Sequence, residues 1–407
     1  MWADAAESGF LDRHQPHGTA FSYSPNINPK QAISLTMPYR LASWNSAFGL
    51  APFFEMNLPE GALRERLRLS FAKATGSFDD FDLLGIVGRS QVGRIRYTGQ
   101  ADSLDEDVPF QSVDEILERR RSGTLFRHLL DRFATFSGIS GVQPKIMLRD
   151  EAASAPLSKT HHRASLTHRG ATHIVKFWEP NEYPHLAANE FFCLRAAQAC
   201  GLELPRFRLA EDAAALVIDR FDLREDATYR GFEDFCVLNA RGTGQKYRGS
   251  YETSILKRFS QFALSPHVNE DLERLYILIV LNCALRNGDA HLKNFGMVYD
   301  NVLGEARLSP VYDIVTTTVY LPEDTLALTL DGKPSWPSRK QLARLGETRL
   351  GASPSRVRAI LDRVATSVEH TTQELRAYQK GNPSFQEIGN RMLAEWSGGI
   401  RHSLLPT

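Results

Sequence analysis

The first hundred residues alternate short apolar runs with one amphipathic stretch. Runs at 32–37, 83–87 and 94–97 have β character, and 63–73 has helical spacing, so 32–100 predicts a small α+β unit. Residues 1 to about 30 are rich in Asp, His, Pro and Ser and read as a loosely ordered start. Residues 102–109 are acidic and punctuated, as a linker would be. From 115 to 133, Ile116, Leu125, Leu129 and Leu130 recur at helical spacing, with Arg119, Arg120 and Arg121 forming a solvated face. Two strands, 142–148 and 172–177, follow, joined by a polar loop carrying His161, His162, Arg163, His168 and Arg169. Without carboxylate or thiolate support, that loop reads as an exposed hairpin connection and not as a metal site. Residues 184–200 predict a helix, with Pro184 ahead of its first turn and Gly201 as its C-terminal cap. Leu216–Ile218 is a short strand, and beyond about 233 the pattern is mainly helical, apart from β-like segments at 294–298 and 326–329.

A β-rich half therefore precedes a helical half. The expected organisation is an α+β protein: a small N-terminal subdomain (1–105), a β-rich lobe (106–222) and a helical lobe (223–407), with a connector near Phe221. Clefts between lobes are where ligands usually sit.

Composition narrows the class of protein further. The 407 residues carry 48 basic and 48 acidic side chains, so net charge gives no whole-chain attraction to nucleic acid or anionic membrane. With 42% apolar and 24% charged residues, disordered, collagen-like and coiled-coil chains are excluded. Cys193, Cys200, Cys236 and Cys283 lack disulfide-framework or metal spacing and suit a reducing compartment. The first fifteen residues hold Asp4, Glu7, Asp12 and Arg13, which leaves no signal-peptide core. The most apolar run, 275–285, is interrupted by Asn282 and is about half the length a bilayer requires. The expectation is a soluble, cytoplasmic protein.

The sharpest chemical signal is the polar run 286–296, R-N-G-D-A-H-L-K-N-F-G, which directly follows that apolar helix. Asp289 and Asn294 have the D-x-x-x-x-N spacing of a phosphotransferase catalytic loop. Such chemistry needs a carboxylate to orient and deprotonate a hydroxyl, an oxygen ligand one short turn away for magnesium, and a cation such as Lys293 for the transferred group. Alone, the spacing is more often a polar turn after a helix; its companions reverse that. Asp313 lies nineteen residues beyond Asn294 in an apolar setting, where a second metal-binding carboxylate is expected. Lys176 sits inside a strand and shares a face with Ile174, a costly place for an ammonium unless it is paired. Glu190, fourteen residues later on the next helix, is a candidate partner. Further upstream, Ser137-Gly138-Ile139-Ser140-Gly141-Val142-Gln143-Pro144-Lys145 forms a glycine-bracketed turn whose amides could approach phosphate oxygens. It is not a P-loop, because no lysine-plus-hydroxyl pair opens a helix. The order along the chain is Gly-rich loop, strand Lys, helix Glu, connector, D-x-x-x-x-N, then Asp, the order of parts in a protein-kinase-like fold.

At these residues the sequence resembles the HipA family of bacterial toxin kinases, those of the HipA–HipB toxin–antitoxin systems. The phrases that carry the resemblance are SGISGVQPK, IVKF, AANEFFCLRAA, VIDRFDL, GFEDFC with QKY, GDAHLKNFG and LSPVYDIV, spanning roughly 135–320. Residues 21–40 look like the family's small N-terminal subdomain, and LALTLDGK (326–333) is similar to its C-terminal half. The resemblance implies a two-lobed serine/threonine protein kinase that uses ATP and Mg²⁺. Family members phosphorylate aminoacyl-tRNA synthetases in the bacterial cytoplasm. They pair with a HipB-like helix-turn-helix antitoxin, through which contact with DNA is indirect.

By motif position the resemblance makes Asp289 the catalytic base, shaped by His291 and Lys293, and Asn294 and Asp313 the magnesium ligands. Ser140, Gly141, Val142, Gln143, Lys145, Lys176 and Glu190 would bind ATP. Arg220, Phe221 and Asp222 would form the hinge, with Phe221 backbone groups near adenine and Asp222 near the ribose. One departure concerns self-phosphorylation. This chain has Gly138 where the family commonly carries the modified serine, which leaves Ser140 and Ser137 as candidates. Two other readings share part of these features, a small-molecule phosphotransferase and a catalytically silent co-repressor acting beside a DNA-binding antitoxin.

Overall fold

The computed structural model describes the chain except residues 4–5, 15–16, 76–77, 100–101, 103, 105–106, 119–122, 151–168, 179–181 and 407. The basic run at 119–121 and His161, His162, Arg163 and His168 of the polar loop lie outside the described residues. Two compact units emerge, and neither is continuous in sequence. The first comprises Met1–Trp178, Arg206–Thr243 and Val298–Ala306; the second comprises Glu179–Pro205, Gly244–Met297 and Arg307–Thr407. The N-terminal subdomain and the β-rich lobe thus share one unit, and the helix after Lys176 belongs to the other.

In the first unit the described residues of the chain start form paired strands, contrary to expectation. Gly9–His14 and Gly18–Tyr23 form an antiparallel hairpin extended by Trp44–Ser46, and Trp2–Ala3 pairs with Ile95–Arg96. The run at 83–87, which reads as a strand, lies within a helix, Asp80–Val87. Its start explains the reversal. The Asp79 side chain accepts from the Phe81 and Asp82 amides while Asp82 reaches back to the Asp79 amide, so a capping box outweighs the local β-type composition. Residues 32–37 form no strand either, and follow a 3₁₀ turn, Pro29–Gln31, with an isolated Ser34–Met37 bridge.

The larger sheet of this unit has the order Phe207–Leu209, Ala215–Asp219, His173–Phe177, Lys145–Asp150, Phe110–Gln111. Its pairs are antiparallel except the last. Register places Lys176 directly opposite both Leu216 and Lys145. Side chains opposite one another share a face, so two buried lysines, Lys145 and Lys176, stand side by side near the sheet centre.

Glu233 is buried in the same unit, where its carboxylate accepts from Ser34 Oγ (2.8 Å), the Leu35 amide (2.7 Å) and Tyr299 Oη (2.6 Å). Those bonds favour the charged form, but burial prevails and pushes this carboxyl up to about 7. A folded-state value above the unfolded one means the native state holds its proton longer than the denatured state does. Stability therefore falls as pH rises through the window from the unfolded value toward 7, by on the order of 3 kcal/mol at most. Urea denaturation at pH 5 and pH 8 should show this slope in the wild type and a markedly smaller one in Glu233→Gln. Identical slopes would remove Glu233 as its source.

The second unit is helical: Leu186–Ala199, Val268–Ala284, Arg339–Leu350, Pro354–Gly381 and Gln386–Ser403. Val268–Ala284 contains most of the predicted apolar run and buries every residue from Leu275 to Ala284. Around it pack Leu342, Val357, Ile360, Leu361, Val364 and Trp396, all nearly inaccessible. Pro354–Gly381 starts where Ser353 caps the Arg356 amide and Pro354 takes the first helical position. The β-like run at 326–329 gives only an isolated bridge between Thr329 and Ser250. No described helix is long and apolar enough to cross a membrane.

Candidate active site

The second unit holds the 286–296 loop, which is built from the end of its central helix. Arg286 adopts a left-handed conformation (φ 55°) that turns the chain out of Val268–Ala284. Asn287 then anchors the turn. Its Nδ2 donates to Asn282 Oδ1 (2.7 Å), its amide to the Asn282 carbonyl (2.9 Å), and its Oδ1 accepts from the Asp289 amide (3.1 Å). This explains the polar break at Asn282 in an otherwise apolar helix: its side chain holds the loop. Gly288 donates to Thr317 Oγ1 (2.8 Å), and a Cβ there would lie 2.6 Å from the Thr325 carbonyl oxygen as well as 2.1 Å from Asp324 Oδ2, which favours glycine. Below, Tyr251 Oη donates to the Ala290 carbonyl (3.0 Å) and Tyr312 Oη to the Lys293 carbonyl (2.9 Å).

On this scaffold the Asp289 side chain stays 46% exposed, and its Oδ1 accepts from Tyr247 Oη at 2.7 Å. Desolvation raises the Asp289 carboxyl above its ordinary value, the Tyr247 bond opposes this, and the nearby Asp313 charge adds to it. His291 is buried, with Nε2 3.9 Å from Asp289 Oδ1. Burial, reinforced by Lys246, pushes its imidazole down to about 3, so His291 is neutral and forms no ion pair with Asp289 near pH 7. Its Nδ1 has no hydrogen-bond partner among the described residues.

Leu292–Asn294 is a 3₁₀ turn that brings Asn294 to Asp313, where Asn294 Nδ2 donates to the Asp313 carbonyl at 3.3 Å. Asn294 Oδ1 is buried and lacks a hydrogen-bond partner among the described residues. A buried amide oxygen in that condition is costly unless something electropositive faces it. Asp313 has a left-handed backbone (φ 58°), uncommon outside glycine but better tolerated by Asp than by most residues. Hard oxygen donors of this kind suit a magnesium ion that keeps most of its water and phosphate ligands. Lys293 is half-buried in the same turn. Glu190 is buried on Leu186–Ala199 of this unit, while Lys176 belongs to the first unit.

In the first unit the glycine-bracketed loop lies close to Lys145. Gly141 has φ 116°, and a Cβ on it would come within 2.3 Å of Lys145 Nζ, so glycine lets the loop close over that ammonium. Ser140 Oγ and the Gly141 amide (3.0 Å) both donate to Glu60 Oε1. A carboxylate thus sits on the donors that sequence reasoning reserved for phosphate. Val142 is exposed and Gln143 Nε2 donates to the Phe177 carbonyl (3.1 Å). Ser137 behaves differently. It is buried, its Oγ donates to the Phe133 carbonyl (2.7 Å) and accepts from the Met147 amide (2.8 Å), which corrects its candidacy for phosphorylation.

The connector also departs from expectation. Arg220 Nη2 donates to Asp222 Oδ2 (2.6 Å) and Nε to Oδ1 (3.0 Å), with the two side chains 0% and 1% exposed. Arg220 additionally binds the Gln91 and Ala171 carbonyls, and Asp222 Oδ2 accepts from the Gly93 amide (2.7 Å). Asp222 therefore ties the connector to the N-terminal segment and does not offer its carboxylate to a ribose. Phe221 packs edge-on against Phe232, with centroids 5.4 Å apart. Sequence reasoning did not single out Glu60 or assign Tyr247 a role. Glu60 carries no local signal, and Tyr247 stands in QKY, a phrase that contributed only to the family resemblance.

A β-rich unit with paired strand lysines and a helical unit with a D-x-x-x-x-N loop define an α+β fold of the kinase-like class. The sequence matches the HipA-like C-terminal domain over residues 137–372 and the HipA N-terminal domain over residues 1–98. The chain belongs to the HipA family. Among curated relatives, the putative kinase Y4dM of Sinorhizobium fredii is 26% identical, over 80% of this chain and 75% of the relative. The serine/threonine-protein kinase toxin HipA of Shewanella oneidensis is 24% identical, over 74% of this chain and 70% of its own. HipA from the Shewanella oneidensis HipA–HipB–operator DNA complex superposes with a TM-score of 0.69 at 19% identity, covering 97% of this chain and 96% of that one.

Proposed function

We propose that this protein is an ATP-dependent serine/threonine protein kinase of a toxin–antitoxin pair. The observation that carries the reading is the loop geometry: a half-exposed Asp289 held beside a neutral histidine, with Asn294, whose buried Oδ1 has no hydrogen-bond partner among the described residues, bonded to the Asp313 carbonyl. In this reading the Asp289 carboxylate takes the proton of the incoming hydroxyl. The hydroxyl oxygen forms a bond to the γ-phosphorus as the bond from that phosphorus to the bridging oxygen breaks, and ADP leaves. Asn294 Oδ1 and the Asp313 carboxylate would hold Mg²⁺, which when bound neutralises charge on the phosphates. Lys293 adds positive charge near the transferred group, and in the first unit the buried pair Lys145 and Lys176 are the cations assigned to nucleotide binding. The substrate class we favour is a protein hydroxyl on an aminoacyl-tRNA synthetase. A HipB-like antitoxin would be the partner, as HipB is present in the Shewanella complex, and we take any contact of this chain with DNA to be indirect.

Ser140 would be a second acceptor. A phosphate there brings about −1.5 to −2 charges against the Glu60 carboxylate that now accepts from its hydroxyl. Repulsion would expel the loop and silence the enzyme. One experiment tests site and modification together. After incubation with Mg²⁺ and ATP, intact-mass spectrometry should show one added phosphate on the wild type and none on Asp313→Ala or Ser140→Ala. Phosphate on Ser140→Ala as on the wild type would place the modification elsewhere, and full modification of Asp313→Ala would remove the metal role.

A further inference from the structure

We propose, resting on the kinase reading above, that Tyr247 is a positioning residue, holding Asp289 Oδ1 so that Oδ2 is presented to the acceptor hydroxyl. The base of a transfer reaction must keep one oxygen in line with the incoming proton, and a half-exposed aspartate on a loop would otherwise rotate about its side-chain bonds. The 2.7 Å bond from Tyr247 Oη removes that freedom. Hydrogen bonds to ionised acceptors are the stronger kind, which suits this task.

Tyr247 is itself held, although it is 53% exposed. The Leu292 amide donates to the Lys246 carbonyl (3.1 Å), tying the residue before Tyr247 into the catalytic turn. The phenol ring meets His291 edge-on at 5.0 Å, and Lys246 Nζ lies 5.5 Å from the ring centroid. His291, buried and 3.9 Å from the same oxygen, is beyond hydrogen-bond reach of it. The ring is thus steadied by the loop it serves, and its hydroxyl fixes the carboxylate.

Tyr247→Phe keeps every ring contact and deletes only the hydroxyl. Steady-state phosphorylation of protein substrate or of the chain itself, with thermal unfolding alongside, decides the matter. The expected result is a kcat lower by about tenfold, with KM for ATP within about twofold and an unchanged melting temperature. A kcat within twofold of the wild type overturns the role of Tyr247 and leaves the kinase reading standing. A fall in kcat accompanied by a lower melting temperature or a raised KM also overturns it, because the tyrosine would then be merely structural. Absence of any transfer by the wild type overturns the kinase reading and this inference together.

Discussion

Asp289→Asn should fold, bind nucleotide, and transfer phosphate on the order of 10³-fold more slowly than the wild type. The substitution keeps shape and volume, and an amide oxygen can still accept the Tyr247 hydroxyl. In the proposed mechanism, what it removes is the basicity that would take the proton of the acceptor. The loop itself rests on Asn287, Asn282, Gly288 and Thr317, none of which is touched. Transfer from γ-labelled ATP, with nucleotide binding measured in parallel, checks the expectation. Activity within threefold of the wild type would exclude Asp289 as the base.

The second large effect concerns stability. Arg220→Met should cost about 3–5 kcal/mol, because it strands the Asp222 carboxylate where it is 1% exposed. Removing both charges, as in Arg220→Met with Asp222→Leu, should cost much less than the sum of the single changes. Urea denaturation of the four proteins gives the coupling directly. Additive losses would mean that the pair contributes no coupling and that each residue acts through its other contacts, such as Arg220 on the Gln91 and Ala171 carbonyls.

The D-x-x-x-x-N spacing was legible because loop chemistry sits at fixed offsets along a chain. Asp289, His291 and Asn294 lie within one short stretch of chain, although much of what holds that stretch, from Tyr247, Tyr251, Tyr312 and Thr317, is distant in sequence. Lys176 was legible for another reason: a cation inside an alternating strand is conspicuous. That Lys145 stands beside it depends on register between two strands, which no single strand reveals. Glu60 was invisible, since its contact with Ser140 spans eighty positions. Asp222 was misread because a buried ion pair and an exposed ligand look alike in a sequence. The helix at Asp80–Val87 was misread as a strand because a capping box of two aspartates overrode the composition of the residues that follow.

The interleaving of the two units has a consequence for synthesis. A ribosome extending the chain at about 5–20 residues per second supplies Thr243 several seconds before Val298. Throughout that interval the first unit lacks its last segment, Val298–Ala306. Tyr299, whose hydroxyl is one of the three donors on Glu233, is in that segment. Until it arrives, the Glu233 carboxylate is short of a donor, and the first unit stays incomplete until residues 298–306 have been made. By then the Asp289 loop has already been made, so the nascent chain holds its D-x-x-x-x-N segment before the first unit can be completed.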